Sequence, residues 1–146
     1  VAEAMEAYFE DAERRGVKGL DRDKLRASAW ILPELGALEV AGLTRTRIEA
    51  WQERIAKAPK RKRIGKAGVK SHKKKPSTDD PKPPKAPTPL TDDEIRARKD
   101  SANRVLRTLK AALNHAFDRG RVRHGEAWQA VKPYLITKHS QPNRGA

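Results

Sequence analysis

The sequence has no cysteine at any of its 146 positions. That excludes disulfide scaffolds, thiolate zinc fingers, iron–sulfur clusters and cysteine nucleophiles. Aromatic side chains are scarce, with three Trp, two Tyr and two Phe, so the chain can bury a modest core but not the interior of a large enzyme. No run of about 18 apolar residues occurs, and the basic-then-apolar order of a signal peptide is missing at the start. The chain therefore reads as soluble and not exported. Nucleotide and hydrolase signatures are also missing: there is no G-x-x-x-x-G-K-[ST], no G-x-G-x-x-G and no G-x-S-x-G. The four histidines, His72, His115, His124 and His139, show no ligand spacing, so no metal or cofactor is expected. Asp79-Asp80 and Asp92-Asp93 are adjacent pairs explained by a linker and a helix cap, not by acid–base chemistry.

What is abundant is positive charge. Lys and Arg number 33 against 19 acids, a net charge of +14, which points to a polyanionic partner. The charge is unevenly spread. Residues 1–57 are nearly neutral at −1, residues 58–90 carry +9, and residues 91–146 carry +6. The middle segment also holds seven of the ten prolines and only Ile64, Val69 and Leu90 as sizeable apolar side chains, so burial cannot repay its ordering entropy. It reads as a long disordered Lys/Pro-rich loop. Its basic residues Lys60, Arg61, Lys62, Arg63, Lys73, Lys74 and Lys75 form either a phosphate-contacting arm or a solvated linker.

The flanking segments read as helices. Val1, Met5, Tyr8, Phe9 and Ala12 recur at helical spacing, with Glu3, Glu6, Glu10 and Glu13 on other faces. Asp21 is placed to cap a second helix whose inward row would be Leu25, Ala29 and Leu32, and Pro33 should stop it soon after Leu32. Thr44 caps a third helix with Ile48, Trp51 and Ile55 inward, ending before Pro59. Thr91-Asp92-Asp93-Glu94 is a capping box that must open a long helix. Its apolar stripe runs through Ile95, Ala102, Val105, Leu106, Leu109, Ala112, Leu113, Ala116 and Phe117 until Gly120. A short last helix holds Trp128 and Val131 and stops at Pro133. Strand alternation is absent except for a few residues around Leu38 and Val40. The expected fold is all-α, a small bundle of four to five helices with the loop between the third and fourth.

Opposite the stripe of the long helix, Arg96, Asn103, Arg107, Lys110 and Asn114 fall three, four or seven apart, with Arg104 and Thr108 beside them. Arg and Lys neutralise phosphates, and Arg and Asn can pair with guanine and adenine edges. Any amphipathic helix has a polar outer face, but this one has few acids past Asp100. Ser101 and Asn103 are poor formers in mid-helix, so their presence implies either a particular contact made by this ribbon or, more simply, a bond to a neighbouring carbonyl or packing at a helix crossing.

The strings PELGALEVAGLTRTRIEAWQERIA, LTDDEIRARKDSANRVLRTLKAALNHAFDRGRV and AWQAVKPY, in that order, resemble the core-binding domain of phage-integrase-type tyrosine recombinases. The most specific parts are Leu35-Gly36 with Leu43-Thr44, the run Ser101-Ala102-Asn103-Arg104, and Trp128 through Lys132-Pro133. The resemblance implies a SAM-like bundle forming half of a clamp on duplex DNA, with residues 22–32 and 91–119 approaching the major groove. It implies DNA contacts by Arg96, Lys99, Asn103, Arg104, Arg107 and Lys110, with Lys24, Arg26 and Ser28 on the second helix and Arg22 and Arg121 at the rim. The family's catalytic tyrosine and His-x-x-Arg pair belong to a separate domain, and no His here is followed three residues later by Arg. Tyr8 and Tyr134 read as packing residues.

The chain is thus expected to be non-catalytic, with residues 135–146 leading towards a catalytic domain of the same parent protein. Expected partners are double-stranded DNA, that domain and other recombinase protomers, in a prokaryotic cytoplasm and at the nucleoid when bound. The alternative is an architectural nucleic-acid-binding protein acting through its Lys-rich loop. A third reading is a helical interaction module pairing its acidic first helix and basic long helix with other subunits.

Overall fold

The computed structural model describes residues 1–59 and 89–136. The proposed basic arm, Lys60 to Arg63 and Lys73 to Lys75, lies outside the described residues, as does the end of the chain from residue 137. The described part is an all-α bundle: α1 (Ala2–Arg14), α2 (Leu20–Arg26), α3 (Leu32–Leu35), α4 (Arg45–Lys57), α5 (Asp92–Asp118) and α6 (Glu126–Gln129). A π-type turn (Ala27–Ile31) joins α2 to α3, and a 3-10 turn (Val40–Gly42) follows Leu38, where the sequence has its few residues of strand alternation.

α5 is the axis of the bundle. Its 27 residues span about 40 Å at 1.5 Å per residue. The capping box forms in full: Thr91 Oγ1 accepts from Glu94 N, and Glu94 returns a carboxylate to Thr91 N at 3.1 Å. At the other end Gly120, at φ 71°, takes the left-handed turn that lets its own N–H reach the Phe117 carbonyl and that of Arg121 reach Ala116. α1 closes in the same way, with Gly16 at φ 68° and the Val17 N–H bonded to Ala12. α1 and α4 pack along α5, burying Met5, Ile48, Trp51, Leu106, Leu109 and Leu113. The ends of the expected stripe, Ile95 and Phe117, remain partly exposed.

The second helix differs from its sequence reading in three ways. It begins after Gly19, which is left-handed at φ 80°, so Asp21 is not the cap but lies inside the first turn, where its charge still opposes the helix dipole. Pro33 does not end it. The i→i+5 pattern of the π turn restarts the hydrogen-bond ladder, and Pro33 falls in the first turn of α3, where a missing N–H costs nothing. The wider turn also changes the phase, so the buried row is Leu20, Ala27, Ile31 and Leu35. Leu25 and Leu32, expected inside, are 71% and 40% exposed. The Trp51 indole donates to the Trp30 carbonyl at 2.9 Å, tying this interrupted stretch to α4.

α6 lacks a side-chain cap, as the His124-Gly125 sequence implies, and is held through Trp128, fully buried and bonded to α5. No helix among the described residues is long and apolar enough to cross a membrane.

Candidate nucleic-acid interface

The polar side of α5 divides into two faces with different occupants. One face is covered by the end of the described chain, residues 128–134. Asn103 acts there as a substitute peptide group: its Oδ1 accepts from Tyr134 N at 2.7 Å and its Nδ2 donates to Tyr134 O at 2.9 Å. Gln52 of α4, buried, donates to both Asn103 Oδ1 and the Lys132 carbonyl. One helical repeat on, Lys110 Nζ donates to the Val131 carbonyl, and Asn114 Oδ1 accepts from the Trp128 indole at 2.8 Å. Lys99 sits 5.9 Å from the centre of the Tyr134 ring, within cation–π range. Desolvation lowers the pKa of Lys110, and burial is the first cause of a raised pKa at Tyr134. Asn103 and Lys110 thus spend their polar groups inside the fold, and Asn114, itself exposed, spends its Oδ1 there. Ser101 is equally local, its hydroxyl donating to the Ala97 carbonyl at 3.0 Å. Between the readings open for these mid-helix residues, back-bonding describes Ser101 and a packed crossing describes Asn103.

The second face stays open. Arg104 and Arg107 project from α5 beside α2, and with Arg26, Asp23, Tyr8, Thr108 and Ala111 they line a notch of about 470 Å³. Asp23 accepts from Arg26 at 2.5 Å and from the Thr108 hydroxyl at 3.4 Å. The single hydroxyl proton of Thr108, which is buried, is shared between Asp23 and the Arg104 carbonyl at 3.2 Å. Arg104 is paired with Asp100 one turn earlier at 2.6 Å, both exposed to solvent. Arg107 is exposed and has no ion-pair partner among the described residues.

The remaining candidates lie at the margins of this face. Arg96 is 3.7 Å from Asp93 in the first turns of α5, a loose exposed pair. Lys24 is ion-paired to Glu13 of α1. Ser28 is exposed on the π turn, and Arg22 is exposed at the start of α2. Arg121 is elsewhere: it lines a separate, largely apolar groove of about 930 Å³ with Leu38, Val40 and Ala127. The structure therefore brings together Arg26, Arg104 and Arg107, and separates from them Asn103, Lys99 and Lys110.

Sequence reading missed Asp23 as part of this site and Tyr8 as its wall. The spacing of Asp23 and Arg26, three apart on one helix, was the available signal. At the far side of α1, Asp11 gathers Arg15 at 2.8 Å and Arg119 at 2.9 Å, with His115 Nε2 at 3.6 Å, which fastens α1 to the end of α5. Among the described residues no group of three or more His, Asp or Glu could hold a metal ion. In comparison with family models, with curated proteins and with solved structures, the chain finds no match.

Proposed function

We propose that this chain is a duplex-DNA-binding domain of a tyrosine recombinase, non-catalytic by itself, that grips the core crossover site and contributes affinity, register and some sequence preference. The observation that carries the reading is the convergence of Arg26, Arg104 and Arg107 from two helices on one open notch, in a chain of net charge +14. An α-helix fits the major groove, and guanidinium groups along its exposed side can neutralise phosphates or pair with guanine. Phosphate contacts would fix the register and base contacts the preference. The recombinase part rests on the resemblance carried by Leu35-Gly36, Leu43-Thr44, Ser101 to Arg104 and Trp128 to Pro133. On this reading the partners are double-stranded DNA, a catalytic domain of the parent protein and neighbouring protomers.

The test is fluorescence anisotropy with a labelled duplex of about 25 base pairs, from about 50 to 200 mM salt. About six phosphate contacts would lose roughly a thousandfold in affinity over that range. Arg107→Ala should lower the salt slope by about one and weaken binding, by about 1–3 kcal/mol where it reads a base. Arg104→Ala should weaken binding less than Arg107→Ala, because Asp100 already engages it. Binding unchanged in both variants removes this face from consideration.

A further inference from the structure

The notch between α2 and α5 already contains an anion, the carboxylate of Asp23. It is about one-third exposed, as is Arg26, and it takes a 2.5 Å charge-assisted bond from Arg26 together with the Thr108 hydroxyl. Around it stand two more guanidinium groups, Arg104 and Arg107, and the wall is closed by Tyr8. Carboxylate and phosphodiester groups present the same paired oxygens to a guanidinium fork, so a site shaped for one accepts the other. Resting on the DNA-binding reading above, we propose that this notch seats one backbone phosphate, and that Asp23 is an internal stand-in which the phosphate must displace from Arg26.

Two consequences follow from electrostatics. In the free protein Arg26 is neutralised by its neighbour, so a phosphate arriving at the notch gains less than it would from an unpaired guanidinium, and any duplex is held more weakly. Asp23 also repels a phosphate that fails to enter the notch squarely. Binding that does not dock α2 and α5 in the groove is penalised most, which favours a matched site over bulk DNA. Asp100 plays the same part for Arg104 at the outer edge, though exposed to solvent and therefore weaker.

Asp23→Asn is the decisive variant. The amide oxygen keeps the bond from Thr108 while the charge is lost, so the fold is preserved; equal thermal midpoints check this, and Asp23→Ser serves as a second variant. Duplex binding at about 100 mM salt should tighten about two- to tenfold for a random sequence, and the salt slope should steepen by about 0.9 as Arg26 becomes free to neutralise a phosphate. The gain should vanish in Asp23→Asn combined with Arg26→Ala. Glu10→Gln, the same change of charge on an exposed position of α1, should give little gain.

An equal gain from Glu10→Gln means that net charge alone is responsible and overturns the proposal. Wild-type binding that is unaltered or weakened in a folded Asp23→Asn protein overturns it too, while leaving the DNA-binding reading intact. Binding by Asp23→Asn but not by the wild type supports the notch and overturns the reading for the native chain. No binding by either overturns both.

Discussion

Asn103 carries more of the structure than its place on a polar helix face implies. Its amide offers a donor and an acceptor on one rigid plane, and both are used by the backbone of Tyr134, with Gln52 as a third partner. No apolar residue can reproduce this, and Asp would lose the donor and set a negative charge against the Tyr134 carbonyl. Asn103→Ala should destabilise the bundle by about 1–3 kcal/mol, because the Tyr134 N–H loses its acceptor, the Tyr134 carbonyl its donor and the buried Gln52 amide one of its two acceptors. Urea denaturation followed by Trp fluorescence measures this, and three Trp side chains report on it. The DNA salt slope of the folded variant should match that of the wild type, since no exposed cation is removed. A lowered slope with unchanged stability would place Asn103 in contact with DNA instead.

Elements were legible in the sequence where local chemistry specifies them and illegible where tertiary packing decides. The capping box at Thr91 and the Thr44 cap are short-range devices, and both helices start where those residues put them. The second helix is the opposite case. Leu25, Ala29 and Leu32 make a good apolar row at α-helical spacing, yet the π turn Ala27–Ile31, set within that row, turns another one, Ala27, Ile31 and Leu35, to the core. Nothing local announces that turn; the bond from Trp51 to the Trp30 carbonyl, made across the bundle, accompanies it. The site was legible to a similar degree: composition and spacing found the cations of α5, but which of them would be covered depended on residues 128–134 folding back over that helix. At the α5 terminus the local rule is strong enough to predict from. Gly120→Ala forces a Cβ into a left-handed conformation and should cost about 1 kcal/mol, read as a lower thermal midpoint. The same change at Gly42, which has ordinary space around it and no positive φ, should cost much less.

At the scale of the whole molecule the charge is divided between the helical bundle and the segment 58–90, which alone contributes +9 of the +14. The two parts predict different binding behaviour. On the proposed DNA-binding reading, cations fixed on α2 and α5 would engage a duplex in one geometry, so their contribution would depend on register and on single residues such as Arg107. A run such as Lys60 to Lys75, with nine Lys and Arg, would on the same reading act through counterion release and be indifferent to sequence. Removing residues 60–75 should therefore weaken binding and flatten the salt dependence without abolishing it, and the shortened chain should still lose affinity on Arg107→Ala. Anisotropy titrations of the two chains against the same duplex decide the matter. If the shortened chain no longer binds at about 50 mM salt, the bundle is a scaffold for its loop and the architectural reading takes precedence. If it binds and responds to Arg107→Ala, the open face of α5 is where the duplex rests, and the loop adds only reach and affinity.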